Sequence, residues 1–157
     1  MAPLTLIVEL VPSVGHTDKR AVAILRGHGN LTAGPEYDAI AESSVGKRVK
    51  YKMGLWIAFV PDTAGKFHRF KNIDEKYKDC IVFIDLEAQL RLYGFTCHPT
   101  PNTAERFELV VLTEYDNKKE NRTDVAVLNR ILMWKDHMAT KEALLRTYPD
   151  KKDEKKS

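Results

Sequence analysis

The sequence predicts an α+β fold: one domain with a curved, mostly antiparallel sheet, short helices before the sheet and a long helix after it. Three observations support this prediction. Runs of aliphatic, aromatic and β-branched residues of strand length recur along the chain. Proline, glycine and polar turn residues separate these runs. An apolar stripe at helical spacing follows the last run.

The N-terminal third is predicted to supply one strand and two short helices. Residues 4–11 are rich in aliphatic and β-branched residues and stop at a proline, which is typical of a strand. Thr17 and the aspartate after it can cap a helix, so we expect a short helix that runs through Arg26 to the glycines beyond it. After a loop that contains glycine and proline, a second helical piece is expected at residues 37–42.

The middle of the chain is predicted to consist of strands. Residues 47–53 show a period of two, which places three basic residues on one face: Arg48, Lys50 and Lys52. Residues 55–60 form a continuous apolar run between a glycine and a proline, as expected of a central strand. Residues 67–70 are typical of an edge strand.

Three further strands and a helix in two segments are predicted in the second half. Residues 80–86 and 89–97 are strand-like and closely spaced, which indicates a hairpin. A proline-rich loop then leads to a last strand at residues 107–115. The final helix is predicted over residues 125–138, with Thr123 as its cap and a further helical segment after it.

Length and composition describe an ordinary globular domain. The chain has 157 residues, of which 43% are hydrophobic and 30% charged, so it can bury a core of its own. Residues 1–149 are interpreted as the domain, and residues 150–157, which mix basic and acidic side chains, as a charged disordered tail. The net charge of +3 does not by itself indicate a nucleic-acid partner.

Several classes of protein and of site are disfavoured by the sequence. It shows neither a signal-peptide pattern nor an apolar window near the roughly 18 residues of a membrane span, so we expect a cytoplasmic protein without membrane contact. The two cysteines are far apart and the five histidines are scattered, which argues against a disulfide framework and against a metal site. Neither a glycine-rich phosphate loop nor a serine-nucleophile motif is present, and no cofactor is expected.

The strongest functional signal lies at one end of the last two predicted strands, where the start of the first meets the end of the second. One of them carries Arg91 within an apolar run, and the other ends at Tyr115. The loop that follows is basic, with Lys118, Lys119 and Arg122. Asp124 stands near the start of the helix. Arginine, tyrosine and lysine beside a helix N-terminus would make a compact site for an anion.

Each of these residues also has a simpler interpretation. Arg91 would face solvent or pair with a nearby glutamate, and Tyr115 would be a half-buried aromatic residue at the rim of the sheet. The basic residues of the loop would serve solubility alone. The basic residues of the middle segment would be either the solvated face of a sheet or the lining of a groove for a phosphodiester backbone: Arg48, Lys50 and Lys52.

The same segments resemble the C-terminal half of the RelE/HigB/ParE toxin superfamily. The resemblance rests on residues 90–95, residues 106–115, Lys118, Asp124 and an apolar helix with Trp134. Members typically carry an arginine-bearing strand, an apolar strand that ends in tyrosine, a lysine-containing loop and a closing helix with an acidic residue at its start. Residues 54–56 (Gly-Leu-Trp) also resemble the family's entry to its first central strand, which helical segments precede.

The resemblance implies a toxin of a toxin–antitoxin system that cleaves messenger RNA on the ribosome. Its partners would be RNA, the ribosome and an antitoxin protein. The ribose 2′-OH attacks the neighbouring phosphate without a metal. The site must therefore remove the 2′-OH proton, neutralise charge on the phosphate and assist the leaving oxygen.

The same resemblance assigns roles to residues. Arg91 would stabilise the phosphate charge together with Lys118 or Lys119. Tyr115 would stack on a base or take part in proton transfer, and Asp124 would orient a basic partner. His68 would act as an acid or base if the edge strand folds onto the same groove. The cations that hold RNA would be Arg48, Lys50, Lys52 and Arg122.

Three features depart from the family pattern, one of which is an N-terminal apolar strand longer than expected. The basic residues of the family's first central strand are replaced by the apolar residues 55–59, and residues 67–89 have the character of an insertion. The missing basic residues favour an alternative function, a non-catalytic module of the same fold that inhibits a protein target, as gyrase-directed members do. An unrelated nucleic-acid-binding or regulatory α+β domain is a third possibility. Convergence of Arg91, Tyr115 and Lys118 in one concave patch would favour cleavage, and dispersal would favour binding.

Overall fold

The elements of the fold are taken from a computed structural model, which describes residues 4–11, 14, 17, 19–60, 67–69, 74–99, 107–117 and 124–149. The strands are β1 (Ile7–Leu10), β2 (Arg20–Arg26), β3 (Phe67–Arg69), β4 (Cys80–Asp85), β5 (Leu90–Cys97) and β6 (Glu108–Asn117). The helices are α1 (Ala33–Ile40), α2 (Ser44–Ile57), α3 (Val125–Asp136) and α4 (Met138–Thr147), and one 3₁₀ turn covers Glu75–Tyr77.

The strands form one sheet in the order β1-β2-β6-β5-β4-β3. Strands β2 and β6 are parallel, and every other neighbouring pair is antiparallel. Helices α1 and α2 cover one face of the sheet, and α3 and α4 cover the other. The predicted α+β fold with a mostly antiparallel sheet and a C-terminal helix on one face is confirmed. Among the described residues, no helix is long and apolar enough to cross a membrane.

Each face of the sheet has its own apolar core. Leu92 and its same-face neighbours pack against Trp56 and other residues of the first two helices, and we call this the α1–α2 core. Tyr93 and its same-face neighbours pack against Trp134, and we call this the α3–α4 core. Successive residues of a strand alternate between the two cores because their side chains point to opposite faces.

The predicted short helix that ends at Arg26 is wrong, because Arg20–Arg26 is a central strand. Its five middle residues are each at most 2% exposed. A strand covered by helices on both faces is apolar on both sides, so it lacks the alternation by which strands are usually recognised. Thr17 does not cap a helix here; its hydroxyl oxygen accepts a hydrogen bond from the backbone N–H of Arg20 at 3.0 Å.

The strands predicted over residues 47–53 and 55–60 are also wrong, because Ser44–Ile57 is one helix. The Ser43 hydroxyl accepts from the N–H of Gly46 at 3.2 Å and caps it. Val49, Met53 and Trp56 recur at helical spacing and face the sheet, although the same short stretch also alternates.

Helix α1 starts earlier than the helical piece that was predicted at residues 37–42. It covers Ala33–Ile40, so Gly34 and Pro35 lie in its first turn rather than in a loop. Proline is compatible with a first turn because the N–H that it lacks would have no partner within the helix.

The remaining strands lie where the sequence placed them. Strands β1 and β3–β6 fall on the predicted runs, and the β4–β5 hairpin turns through residues 86–89. Gln89 adopts a positive φ of 55° in that turn.

The C-terminal helix is divided in two at His137. Asp124, rather than the predicted Thr123, caps α3 by accepting from the N–H of Ala126 at 2.9 Å. The His137 ring then caps α4 by accepting from the N–H of Ala139 at 3.0 Å. Trp134 of α3 is buried, at 4% exposed. The predicted tail, residues 150–157, lies outside the described residues.

Candidate functional site

A β-bulge decides which side chains meet at the end of the sheet where the anion site was predicted. Tyr93 of β5 pairs with Glu114 of β6, whereas the next residue, Gly94, pairs with Leu112. Thr113 is therefore an extra residue on β6. An extra residue shifts the alternation of a strand by one, so the residues of β6 after the bulge exchange faces.

Gly94 permits the close approach of backbones at the bulge. A Cβ atom at this position would lie 2.2 Å from the carbonyl oxygen of Val111, so no larger residue is accommodated. Without the bulge, Tyr115 would share the α3–α4 face with Val111. With it, Glu114 and Asp116 take that face, and Tyr115 packs against the α1–α2 core.

The bulge gathers polar side chains beside the N-terminal half of α3. We call them the α3 polar cluster: Arg91, Tyr93, Glu114, Asp116 and Arg130. Arg91 and Asp116 are direct cross-strand partners, as are Tyr93 and Glu114. Arg130, from α3, donates through Nε and Nη2 to the two carboxylate oxygens of Glu114 at 3.2 and 2.9 Å. Two cations and two carboxylates therefore lie in one small region.

Charge within the α3 polar cluster is largely compensated. Arg91 is 9% and Glu114 8% exposed, and charged side chains at that depth are stable in proteins when paired. The hydrogen bond to Glu114 raises the pKa of Arg130, and the charges of Asp124 and Asp116 add to the effect. Burial raises the pKa of the Tyr93 hydroxyl, and the neighbouring Arg91 guanidinium partly offsets this increase. The cluster binds α3 to the sheet and has no excess of positive charge.

The structure separates two of the predicted catalytic residues. Arg91 lies on the α3–α4 face. Tyr115 pairs with Leu92 and packs partly buried on the opposite face, and its N–H donates to the Thr32 hydroxyl at 3.2 Å. Asp124 is engaged as the cap of α3. Arg91 and Asp124 are thus on the α3 side of the sheet, and Tyr115 is not.

Other predicted residues lie in or beside undescribed segments. Lys118, Lys119 and Arg122 are outside the described residues. Asn117, the last residue before them, pairs with Leu90, so their loop begins at the Arg91 end of β5. His68 lies on β3, an edge strand that β4 and β5 separate from β6, and its side chain is not described.

The predicted basic residues Arg48, Lys50 and Lys52 lie on α2. Two of them, Arg48 and Lys52, lie close to Asp85. Arg48 donates through Nε and Nη2 to the Asp85 carboxylate at 2.7 and 2.9 Å. Lys52 Nζ donates to the carbonyl oxygen of Ile84 and lies 3.9 Å from Asp85. Lys50 Nζ instead donates a hydrogen bond to the backbone carbonyl oxygen of Ala41, at 2.8 Å.

Asp85 joins α2 to the β4–β5 hairpin. It is 1% exposed and also accepts from the N–H of Ala88 at 3.1 Å. The hydrogen bond from Arg48 holds the pKa of Asp85 below its usual range, against the opposing effect of burial. The interpretation of these basic residues as a solvated sheet face is wrong, because they lie on a helix. Arg48 and Lys52 are ion-paired to a buried carboxylate, and a groove for RNA stays a prediction.

The two cysteine thiols are buried or partly buried and are not activated. Burial raises the pKa of the Cys80 and Cys97 thiols to about 12, so neither is a thiolate near neutral pH. The described residues contain no group of three or more His, Cys, Asp or Glu side chains placed to hold a metal ion.

Glu114, Asp116 and Arg130 were not predicted, because the site was placed by the ends of the strands and not by the face that each side chain takes. A signal for the bulge was present in Gly94, since a glycine inside a strand often marks a bulge.

Comparison with known proteins identifies no relative: no family model, no curated protein and no solved structure matches the chain.

Proposed function

We propose that the protein is a toxin of the RelE/HigB/ParE superfamily that acts by binding a protein target. The observation that carries this choice is the separation of Arg91 from Tyr115 on opposite faces of the sheet. Cleavage of RNA requires an acid, a base and a charge-stabilising cation within hydrogen-bond reach of one phosphate. Side chains on opposite faces of a sheet do not meet that requirement.

The order of elements supports the superfamily. Helices α1 and α2 precede strands β3 to β6, β5 bears Arg91, β6 leads into the lysine-containing loop, and the acidic Asp124 caps α3. The segment at residues 54–56 belongs to α2, so it is not the entry to a strand. Within residues 67–89, the segment with the character of an insertion, the structure places β3 and β4.

The placement of charge supports binding over cleavage. Strand β4, the first interior strand of the sheet after the helices, has the sequence Cys-Ile-Val-Phe-Ile-Asp and carries no basic residue. Arg48 and Lys52 are directed to Asp85, and Arg91 is 9% exposed in a cluster that also holds two carboxylates. RNA binding depends on cations that reach the phosphates and release their counterions, so paired and buried cations contribute little.

One observation favours a second function, ribosome-dependent cleavage of messenger RNA by metal-free 2′-OH attack. The loop that contains Lys118 and Lys119 begins beside Leu90, one position from Arg91. A loop lysine and Arg91 would then hold one phosphate between them. RNA and the ribosome would be partners in this function, and an antitoxin protein would be a partner in either.

Expression in bacterial cells tests both functions. We expect the wild-type chain to arrest growth, and we expect Lys118→Ala/Lys119→Ala to arrest it equally without new messenger-RNA ends in primer extension. Lys141→Ala, an exposed lysine on α4, is the matched control. Wild-type cleavage within translated messages that the double variant slows by about two orders of magnitude would instead establish the nuclease. A wild-type chain that leaves growth unchanged would refute the toxin proposal itself.

A further inference from the structure

Strand β1 lies at one end of the sheet, and no other described strand pairs with its outer edge. The N–H of Val11, just after β1, donates to the carbonyl oxygen of Val22 on β2 at 3.0 Å. The backbone groups of successive residues in a strand point alternately to its two sides. The odd-numbered residues of β1 therefore bond to β2, and the N–H and C=O groups of Leu6, Val8 and Leu10 point to the outer edge.

The last turn of α4 covers one end of this outer edge. Arg146 Nη2 donates to the carbonyl oxygen of Leu6 at 2.7 Å, as expected of an outward-facing group. The Thr147 hydroxyl lies 3.5 Å from the carbonyl oxygen of Val8, but it lies 3.0 Å from that of Ala143 in its own helix. A hydroxyl has one proton to donate, so the shorter contact takes it. Arg146 therefore supplies the strong contact between α4 and the edge.

The rest of the outer edge has the features of a pairing surface. The outward N–H groups of Val8 and Leu10 donate to no described residue. The exposed side chains are apolar, with Ile7 58% and Leu10 41% exposed. The charge of Glu9 is engaged by Arg26 at 3.4 Å. Sheet edges in natural proteins often carry a lysine or a proline that discourages pairing, and β1 has neither.

We propose that the outer edge of β1 pairs with the same edge of a second copy of this chain, and that Arg146 holds the edge closed. A strand edge complements itself, because an antiparallel neighbour needs N–H and C=O groups at the same spacing. Pairing centred on Val8 sets Leu6 of one copy opposite Leu10 of the other, so the carbonyl oxygen of Leu6 must first leave Arg146. Ile7 and Leu10 supply apolar area for the contact. This inference does not depend on the proposed function.

Analytical ultracentrifugation over a range of protein concentrations tests the closed edge. We expect the wild-type chain to be a monomer. Arg146→Met keeps the apolar stem of the side chain but removes its donors. We expect this variant to dimerise with a Kd at least about tenfold below that of Lys141→Met, a matched change at an exposed position of the same helix. A wild-type dimer, or a folded Arg146→Met protein that stays monomeric, would overturn the inference.

A second substitution locates the contact between the two copies. Ile7→Lys, added to Arg146→Met, should restore the monomer, because a lysine on an edge strand disfavours pairing. Leu86→Lys is the matched control, since Leu86 is 68% exposed at the β4–β5 turn, and it should leave the dimer unchanged. Association that Ile7→Lys does not reduce would place the contact elsewhere and would also overturn the inference.

Amide hydrogen exchange in the wild-type protein tests the edge without a substitution, and it decides the outcome if Arg146→Met does not fold. The outward N–H groups of Val8 and Leu10 should exchange at least about tenfold faster than the N–H of Val11, which is bonded to β2. Equal protection of the three groups would show that the outer edge is covered along its length. That result would overturn the proposed pairing surface whatever the variants do.

Discussion

Replacing Asp85 with asparagine tests whether the basic residues of α2 serve the fold. The Asp85 carboxylate is 1% exposed and accepts from Arg48 and from the N–H of Ala88. Asparagine keeps the size of the side chain and one acceptor oxygen, but it removes the charge. Arg48 and Lys52 then lose their buried counter-charge. Glu87, 3.0 Å from Arg48, compensates only in part because its side chain is 76% exposed.

The expected loss of stability depends on how deeply Asp85 and Arg48 are buried. Removing one partner of a fully buried ion pair costs about 3–5 kcal/mol. The Arg48 side chain is 35% exposed, so water can solvate it after the change. We therefore expect Asp85→Asn to lower the free energy of unfolding by about 2–3 kcal/mol. For a domain of this size, the melting temperature would fall by roughly 4–12 °C.

Urea unfolding at pH 7, followed by circular dichroism, measures this loss. Glu87→Gln is the matched control, because an exposed partner of the same arginine should contribute less than about 0.5 kcal/mol. A loss for Asp85→Asn no larger than that of the control would refute the reasoning. It would show that Arg48 and Lys52 are not committed to Asp85 and are available to a ligand such as RNA.

The same contact predicts a dependence of stability on pH. The Arg48 hydrogen bond lowers the pKa of Asp85 in the folded protein, below the value of about 3.9 in the unfolded chain. Its contribution is complete above the unfolded pKa and is lost as the pH falls through the folded pKa. The acid-induced decline below about pH 4 should be shallower in Asp85→Asn than in the wild type. An identical decline in both proteins would contradict the assignment.

Two further predictions concern packing and are checked by the same unfolding measurements. Trp134→Ala should cost about 3–5 kcal/mol because the side chain is 4% exposed in the α3–α4 core, whereas Met133→Ala, at a 46% exposed position, should cost far less; equal losses would place the tryptophan outside the core. Gly94→Ala should cost about 2 kcal/mol or more, since its Cβ would lie 2.2 Å from a carbonyl oxygen, while Gly29→Ala meets no atom within 4 Å; a tolerated Gly94→Ala would argue against the bulge.

Local chemistry was sufficient to predict much of the fold. Strands β4 and β5 are apolar runs with a short connection, and the helix after β6 has an apolar stripe at helical spacing. Strand β2 could not be recognised from its own residues, because helices cover both of its faces only after the chain has folded. The alternation that suggested a strand at residues 47–53 is short enough to fit a helix as well, and contact with the sheet decides between them.

The candidate site was less predictable for a geometric reason. Arg91 and Tyr115 lie at the same end of adjacent strands, as expected from the sequence, but the faces that their side chains take were not predicted. The face of Tyr115 depends on the extra residue Thr113, which is evident only from the pairing of β6 with β5. One extra residue in a strand reverses the faces of every later side chain, so strand ends alone do not decide which side chains meet.

The parallel pairing of β2 with β6 has a consequence for how the chain is synthesised. Strand β2 lies between β1 and β6, and its first residue, Arg20, pairs with Glu108, far along the chain. Until β6 has left the ribosome, the apolar β2 has one open edge, and such edges pair readily with other chains. The N-terminal half therefore contains no complete sheet of its own, and the sheet closes late, through a contact of high sequence separation that slows folding.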